Sequence, residues 1–246
     1  MGRKHHMECA GAGLRRALAT VGMAVLGLAQ TARAEAGANS YPVMAPIEQY
    51  LTPVRADEMA LARSAAPPSI SKDADILTLG AHGYERAVKG TNGFVCLVQR
   101  SWFSGLNDPE FWNPKERSPI CFNPQGARSV LPMFLKRTDW ALAGLSEAAI
   151  VDRTKAAFVA HEIPAPEMGV ITYMMSKDGY LSDSVHGPWH PHLMFFLPRM
   201  DPADWGSNLT GSPVMGGGAG VEPFSLFFVP VATWSDGTPD GRPMHM

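Results

Sequence analysis

Three histidines and a methionine crowd one short stretch of this chain, and they are the residues best suited to chemistry. Ser184–Phe196 reads S-V-H-G-P-W-H-P-H-L-M-F-F and places His186, His190, His192 and Met194 within nine positions. Gly187, Pro188 and Pro191 exclude a helix here, so His186 and His190 are not a helical i,i+4 pair. A residue before proline is pushed to an extended conformation, which makes His190 strand-like. Alternation along a strand then puts His190, His192, Met194 and Phe196 on one face. The other face carries Pro191, Leu193, Phe195 and Leu197, and by its composition it is the expected core face. Imidazole binds zinc and copper, and a thioether adds a preference for soft copper. Met174-Met175 on a neighbouring strand would extend a copper set. Without Met194, the three histidines and a water would make an open zinc site, able to lower that water's pKa to about 7. Asp183 or His161 would be the fourth ligand or second-sphere partner.

The plain reading of the same residues is a rigid Trp-Pro turn whose histidines are hydrogen-bonded and inert. No Glu follows His-x-His within a few residues, and no Asp-His pair accompanies it. The patterns of cupins and of metallo-β-lactamase-like hydrolases are therefore not met. Cys96 and Cys121 raise a second choice, between a disulfide and a nucleophile served by His82 or His161. No nucleophile signature surrounds either cysteine, and an isolated pair in an exported chain reads first as a disulfide. His161-Glu162 at a helix end reads as a dipole partner, and Ser182, Ser184 and Ser225 lack a nucleophile-elbow pattern. Trp102, Trp112, Trp189, Trp205 and Trp234 are core or loop-pinning residues by default, with a ligand groove as the alternative.

The elements that must position these residues can be read from pattern. Thr52-Pro53 is a helix start, with a Thr cap and Pro at the first helical position, for a helix to about Ser64. Asp75–Leu79 is a strand, Gly83–Lys89 a helical turn, and Phe94–Val98 a central strand apolar on both faces. Ser101–Asn123 reads as a loop that is pinned by its aromatics or forms a binding wall. Val130, Leu131, Phe134, Leu135 and Leu142 keep helical spacing; Gly144 breaks it and Ser146 caps a second helix to about His161. Val170–Ser176, His192–Leu197 and Phe224–Val231 are strands, with Lys177-Asp178-Gly179 as a hairpin signal. Gly216-Gly217-Gly218 has no phosphate-loop context and reads as a flexible linker. Strands interleaved with a helical block, without regular βαβ alternation, predict an α+β fold: one domain, mostly antiparallel, the helical block on one face.

The chain has 246 residues and a formal charge of −2. Arg3, Lys4, Arg15 and Arg16 precede the apolar run Ala17–Ala29, and Ala32-Arg33-Ala34 follows, the pattern of a cleaved export signal. That run is too short to span a bilayer. The expected organisation is a leader over 1–34, a loose segment over 35–52 and a domain over 53–246. Loss of the leader removes five Lys/Arg and one Glu, taking the charge from −2 to −6. A mildly acidic chain is a poor partner for nucleic acid or anionic membranes. The expected product is soluble, with no transmembrane segment after signal cleavage.

Three blocks resemble exported bacterial proteins of no assigned function: SISKDADILTLGAHGYERAVKGTNGFVCLVQRSW from Ser69, FWNPKERSPICFNPQGAR from Phe111 and YMMSKDGYLSDSVHGPWHPHLMFFLPR from Tyr173. The resemblance implies export to a periplasmic or secreted location and carries no activity or catalytic residue. Two functional readings follow from the residues. In the first, the chain binds a small ligand, a metal or an envelope protein without turning anything over, through the Trp102–Trp112 loop and the His186–His192 turn. In the second, it is a zinc- or copper-dependent enzyme using His186, His190 and His192.

Overall fold

Period-two burial and one cysteine pair organise the centre of the fold. The structure, a computed structural model, describes residues 41–105, 108–218 and 220–243. The leader-like stretch 1–34 lies outside them. The strands are β1 (Asp75–Gly80), β2 (Gly83–Val88), β3 (Val95–Gln99), β4 (Ser118–Phe122), β5 (Ile171–Met174), β6 (His192–Pro198), β7 (Met215–Gly216) and β8 (Phe224–Pro230). They form one sheet in the order β2-β1-β3-β4-β5-β6-β8-β7. Only β1 and β3 run parallel; the other neighbours are antiparallel. The helices are α1 (Arg55–Arg63), α2 (Pro68–Ser71), α3 (Pro124–Ser129), α4 (Leu131–Leu142) and α5 (Glu147–Val159). The fold is therefore α+β with a mostly antiparallel sheet. Among the described residues no helix is long and apolar enough to cross a membrane.

Alternation along each strand sorts the side chains onto two faces. Leu97, Ile120 and Phe122 pack with Val130, Phe134 and Ile150, which places the α3–α5 block on one face together with Met194, Phe196 and Phe224. Cys96, Val98, Cys121 and Ile76 point the other way, onto the small Ala62, Ala65 and Ala66 of α1 and its C-terminal turn. Alanines there let the helix approach the sheet closely. Cys96 lies directly opposite Cys121 across β3 and β4, the two form a disulfide, and their Cα atoms are 4.0 Å apart. Closing a loop of 25 residues stabilises the fold by about 3–4 kcal/mol through the entropy of the unfolded chain.

Several local expectations give way to tertiary structure. Gly83–Lys89 is not a helical turn: β2 folds back on β1 with Gly80 opposite Gly83, and Gly83 takes a φ of 122° that favours glycine. The Ser101–Asn123 loop contains a strand, β4. Pro119 disguises it, yet β5 pairs only with Cys121 and Phe122, so on that side Pro119 has no ladder bond to lose. Helix α1 starts later than expected, with Val54 rather than Thr52 at its cap and no side-chain cap bond. Ser146 does cap α5, accepting from the Ala149 amide. The glycine triplet is not a linker. Met215–Gly216 is the edge strand β7, Gly216 has φ 89°, and a Cβ there would sit 2.6 Å from the Leu226 carbonyl oxygen.

The segment before α1 is also less loose than its composition suggests. Tyr50 is fully buried, and its hydroxyl donates to the Trp112 carbonyl at 2.7 Å. Its own carbonyl accepts from Arg100 Nε at 2.7 Å. Arg100 is itself buried and donates through Nη2 to Glu58 Oε1 at 3.0 Å, while Glu58 Oε1 also accepts from the Leu79 amide. One buried ion pair thus ties the N-terminal segment, α1 and the sheet together. Removing either partner would leave an uncompensated buried charge.

Candidate functional site

The sheet face that carries α3–α5 is not fully covered by them. Beside Phe134 of α4 a cavity of about 540 Å³ opens over β3, β5, β6, β7 and β8. Its floor is Met174, His192, Met194, Phe196, Leu226 and Phe228. Its walls are Phe103–Gly105, Asp108, Glu110 and Glu116 from one loop and Leu181, Ser182, Ser184 and Trp189 from another. They overlap the Trp102–Trp112 and His186–His192 segments only in part: Phe103, Asp108, Glu110, Trp189 and His192 line the cavity, whereas Trp102, Trp112, His186 and His190 do not. Glu110 holds the two loops together: its Oε2 accepts from the Asp183 amide at 2.8 Å and from Asn113 Nδ2 at 2.6 Å, and its Oε1 accepts from the Ser184 amide. Asp183 repeats the tie from the other side, accepting from Tyr41, Tyr180 and Lys115. These donors hold its carboxyl well below the usual carboxylate range, Tyr180 contributing most.

The tryptophans divide by role. Trp102 and Trp112 are buried and pin the loop from behind; Trp102 Nε1 donates to Thr138 Oγ1 of α4. Trp189 stands at the cavity, edge-on to His192 with ring centres 4.9 Å apart and to Phe228 at 6.4 Å. Aromatic and thioether groups make the interior largely apolar, as is usual for small-molecule sites.

The most unusual polar group in the cavity is Glu116. It is 3 % exposed, and the hydrogen bond to its carboxylate oxygen Oε2 comes from Ser104 Oγ at 3.2 Å. Burial pushes its carboxyl up to about 8, with Asp108 adding to the effect and Ser118, Ser104 and Arg100 opposing it. At neutral pH Glu116 is therefore mostly a neutral carboxylic acid inside an apolar chamber. His192 is perturbed in the opposite sense: burial lowers it to about 4, so its imidazole is uncharged. Its Nδ1 lies 2.7 Å from the His190 carbonyl oxygen, so this nitrogen carries the proton and leaves Nε2 as the acceptor. Burial has thus reversed the ordinary order of proton affinity between a carboxyl and an imidazole lining one cleft, a pattern that recurs at functional sites.

The structure separates the four sequence-identified donors. His192 and Met194 face the cavity from β6. His190 lines a smaller hollow of about 30 Å³ together with His192 and Trp189, and its Nδ1 is 2.6 Å from Asp240 Oδ2. Asp240 is in turn held by Arg242, which also donates to the Pro188 and Trp189 carbonyls. His186 is exposed on a turn with φ 54°. His161, two residues past the end of α5, is also exposed, with φ 56°. Among the described residues no group of three or more His, Cys, Asp or Glu is arranged to hold a metal ion. Alternation along β6 is as expected, but the faces are reversed: His192, Met194 and Phe196 are buried while Leu193, Phe195 and Leu197 are half-buried. The reason is tertiary: Met194 and Phe196 join the main core with Phe134 and Phe224 and, with His192, look into the cavity, whereas Phe195 on the opposite face meets Trp205.

No protein-family model, curated protein or solved structure matches this chain. The functional reading accordingly rests on the cavity and its chemistry.

Proposed function

We propose that this protein is an exported binding protein that encloses a small, largely apolar molecule in the cavity between β3–β8 and the Phe103–Glu116 and Leu181–Trp189 loops. The observation that carries the proposal is the cavity itself: about 540 Å³, the size of ordinary ligand sites. Met174, Met194, Leu226 and the rings of Phe103, Phe134, Phe196 and Phe228 supply the apolar contact. Glu116, Gln99 and His192 are the few polar groups that would fix orientation. Export is supported by the basic and apolar leader-like composition of residues 1–34 and by a disulfide suited to an oxidising compartment.

The test is titration with a neutral environment-sensitive dye such as N-phenyl-1-naphthylamine. The expected result is saturable binding at one site per chain. Leu226→Trp, which fills the chamber from its floor, abolishes that binding while leaving the far-ultraviolet circular dichroism unchanged. Equal dye binding by both proteins contradicts the proposal.

A further inference from the structure

We infer that the molecule held in this cavity is an organic monocation, an amine or quaternary ammonium carrying an apolar body, with Glu116 as its counter-ion. The inference rests on the binding reading above and names the ligand's charge. Three carboxyl groups line the chamber, Asp108, Glu110 and Glu116, and among the described lining residues there is no Lys or Arg. The other titratable group among the described lining residues, His192, is uncharged. The adjoining hollow of about 340 Å³, which shares the Phe103, Phe134, Phe196 and Phe228 walls, does contain Arg137. That guanidinium is ion-paired with Glu222 in the same hollow, so it adds no net positive charge. A carboxylate ligand would therefore meet negative charge with no free cation to receive it.

The aromatic lining points the same way. Phe103, Phe134, Trp189, Phe196 and Phe228 surround the chamber, and ring faces attract cations, most strongly when water is excluded. Asp108 and Glu110 already serve the loop: Asp108 Oδ1 accepts from the Glu110 amide at 2.8 Å, and Glu110 bridges to Asp183 and Ser184. Glu116 is different because, among the described residues, its carboxyl accepts a hydrogen bond from the Ser104 hydroxyl and is otherwise acted on by the Ser118 hydroxyl and the charges of Asp108 and Arg100. A buried acid in this state ionises once a cation arrives, because the pair compensates what burial alone penalises. The ligand enters as the cation, Glu116 loses its proton to solvent, and a neutral ion pair remains in the chamber.

The experiment uses three probes of one size and different charge: 3-phenylpropyltrimethylammonium, 4-phenylbutan-1-ol and 4-phenylbutyrate. Each is titrated calorimetrically into the wild-type chain and Glu116→Gln at pH 7, in two buffers of different ionisation enthalpy. The expected result is that the ammonium probe binds about tenfold or more tightly than the alcohol, and the carboxylate most weakly. Binding of the ammonium releases up to about 0.9 proton per ligand, the fraction of Glu116 protonated at that pH. Glu116→Gln loses both the preference and the proton release. If the alcohol or the carboxylate binds as well as the ammonium, the charge assignment is overturned and the cavity reading stands. If none of the three binds at millimolar concentration, the cavity reading fails and the inference fails with it.

Discussion

Glu116→Gln should make this protein more stable, and increasingly so as pH rises. Glutamine keeps the shape of the acid and removes its ability to ionise. In the folded chain burial raises Glu116 from 4.5 to about 8. The folded state therefore binds the proton more tightly than the unfolded state. Stability linked to this group is fully present below pH 4.5 and is lost as pH rises through 8. The loss accumulates at about 1.4 kcal/mol per pH unit between those values. At pH 5 the wild type is disfavoured by about 1 kcal/mol relative to a neutral side chain, at pH 7 by about 3 and at pH 8 by about 4. For a chain of this size about 3 kcal/mol corresponds to a rise in Tm of about 9 °C. The assay is urea or thermal unfolding of both proteins at half-unit steps from pH 5 to pH 8. A difference that grows with pH in favour of Glu116→Gln supports the placement of Glu116 in the apolar chamber. A difference independent of pH, or one that favours the wild type throughout, refutes it.

His192 should give the opposite slope. Its depressed value, about 4 against an ordinary 6.5, means that the stability it contributes is present above pH 6.5 and falls as pH drops towards 4. The loss reaches about 3 kcal/mol, and urea titrations of His192→Gln should show that part of the acid sensitivity gone. Replacing both Cys96 and Cys121 by alanine should cost about 3–4 kcal/mol, read as a lower denaturation midpoint, with the wild type falling to the same value in reductant. Gly216→Ala should destabilise by about 2 kcal/mol, because φ 89° and the Leu226 carbonyl at 2.6 Å leave no room for a Cβ. The same variant should bind the dye more weakly, since Gly216 lines the cavity.

What the sequence makes legible follows the strength of local signals. The helices at Leu131–Leu142 and Glu147–Val159 announce themselves through apolar spacing, Gly144 and the Ser146 cap. The strands at Asp75–Gly80, Val95–Gln99, His192–Pro198 and Phe224–Pro230 announce themselves as short apolar runs. The Cys96–Cys121 pair is legible as a disulfide, although not that it joins neighbouring strands. β2 and β4 are hidden because their sequences, GYERAV and SPICF, derive their strand character from partners rather than from propensity. Which face of β6 is core depends on the distant residues, Phe134 and Phe224, that gather around Met194 and Phe196, and no local pattern contains that information. Of the segments Trp102–Trp112 and His186–His192, singled out by composition, Phe103, Asp108, Glu110, Trp189 and His192 line the cavity while Trp102, Trp112, His186 and His190 do not, a division that depends on packing and not on composition. The missed residue is Glu116. Lys115-Glu116-Arg117 looks like a solvated charge run, yet the alternation of Phe122, Ile120 and Ser118 carried two positions further back points Glu116 to the same face. Gln99 follows Val95 and Leu97 on β3 in the same way. Polar residues that continue a core face are the signal by which this site is found.

The central claim, that the chamber over β3–β8 is a ligand site, is tested most directly by nuclear magnetic resonance of methyl-labelled methionines during titration with 3-phenylpropyltrimethylammonium. Met174, Met194 and Met215 line the cavity, whereas Met59 packs on the opposite face and Met168 is exposed. The methyl signals of Met174, Met194 and Met215 should shift together and show Overhauser contacts to the probe, with Met59 and Met168 unmoved. Saturable shifts confined to other methionines, or none at all, would contradict the claim.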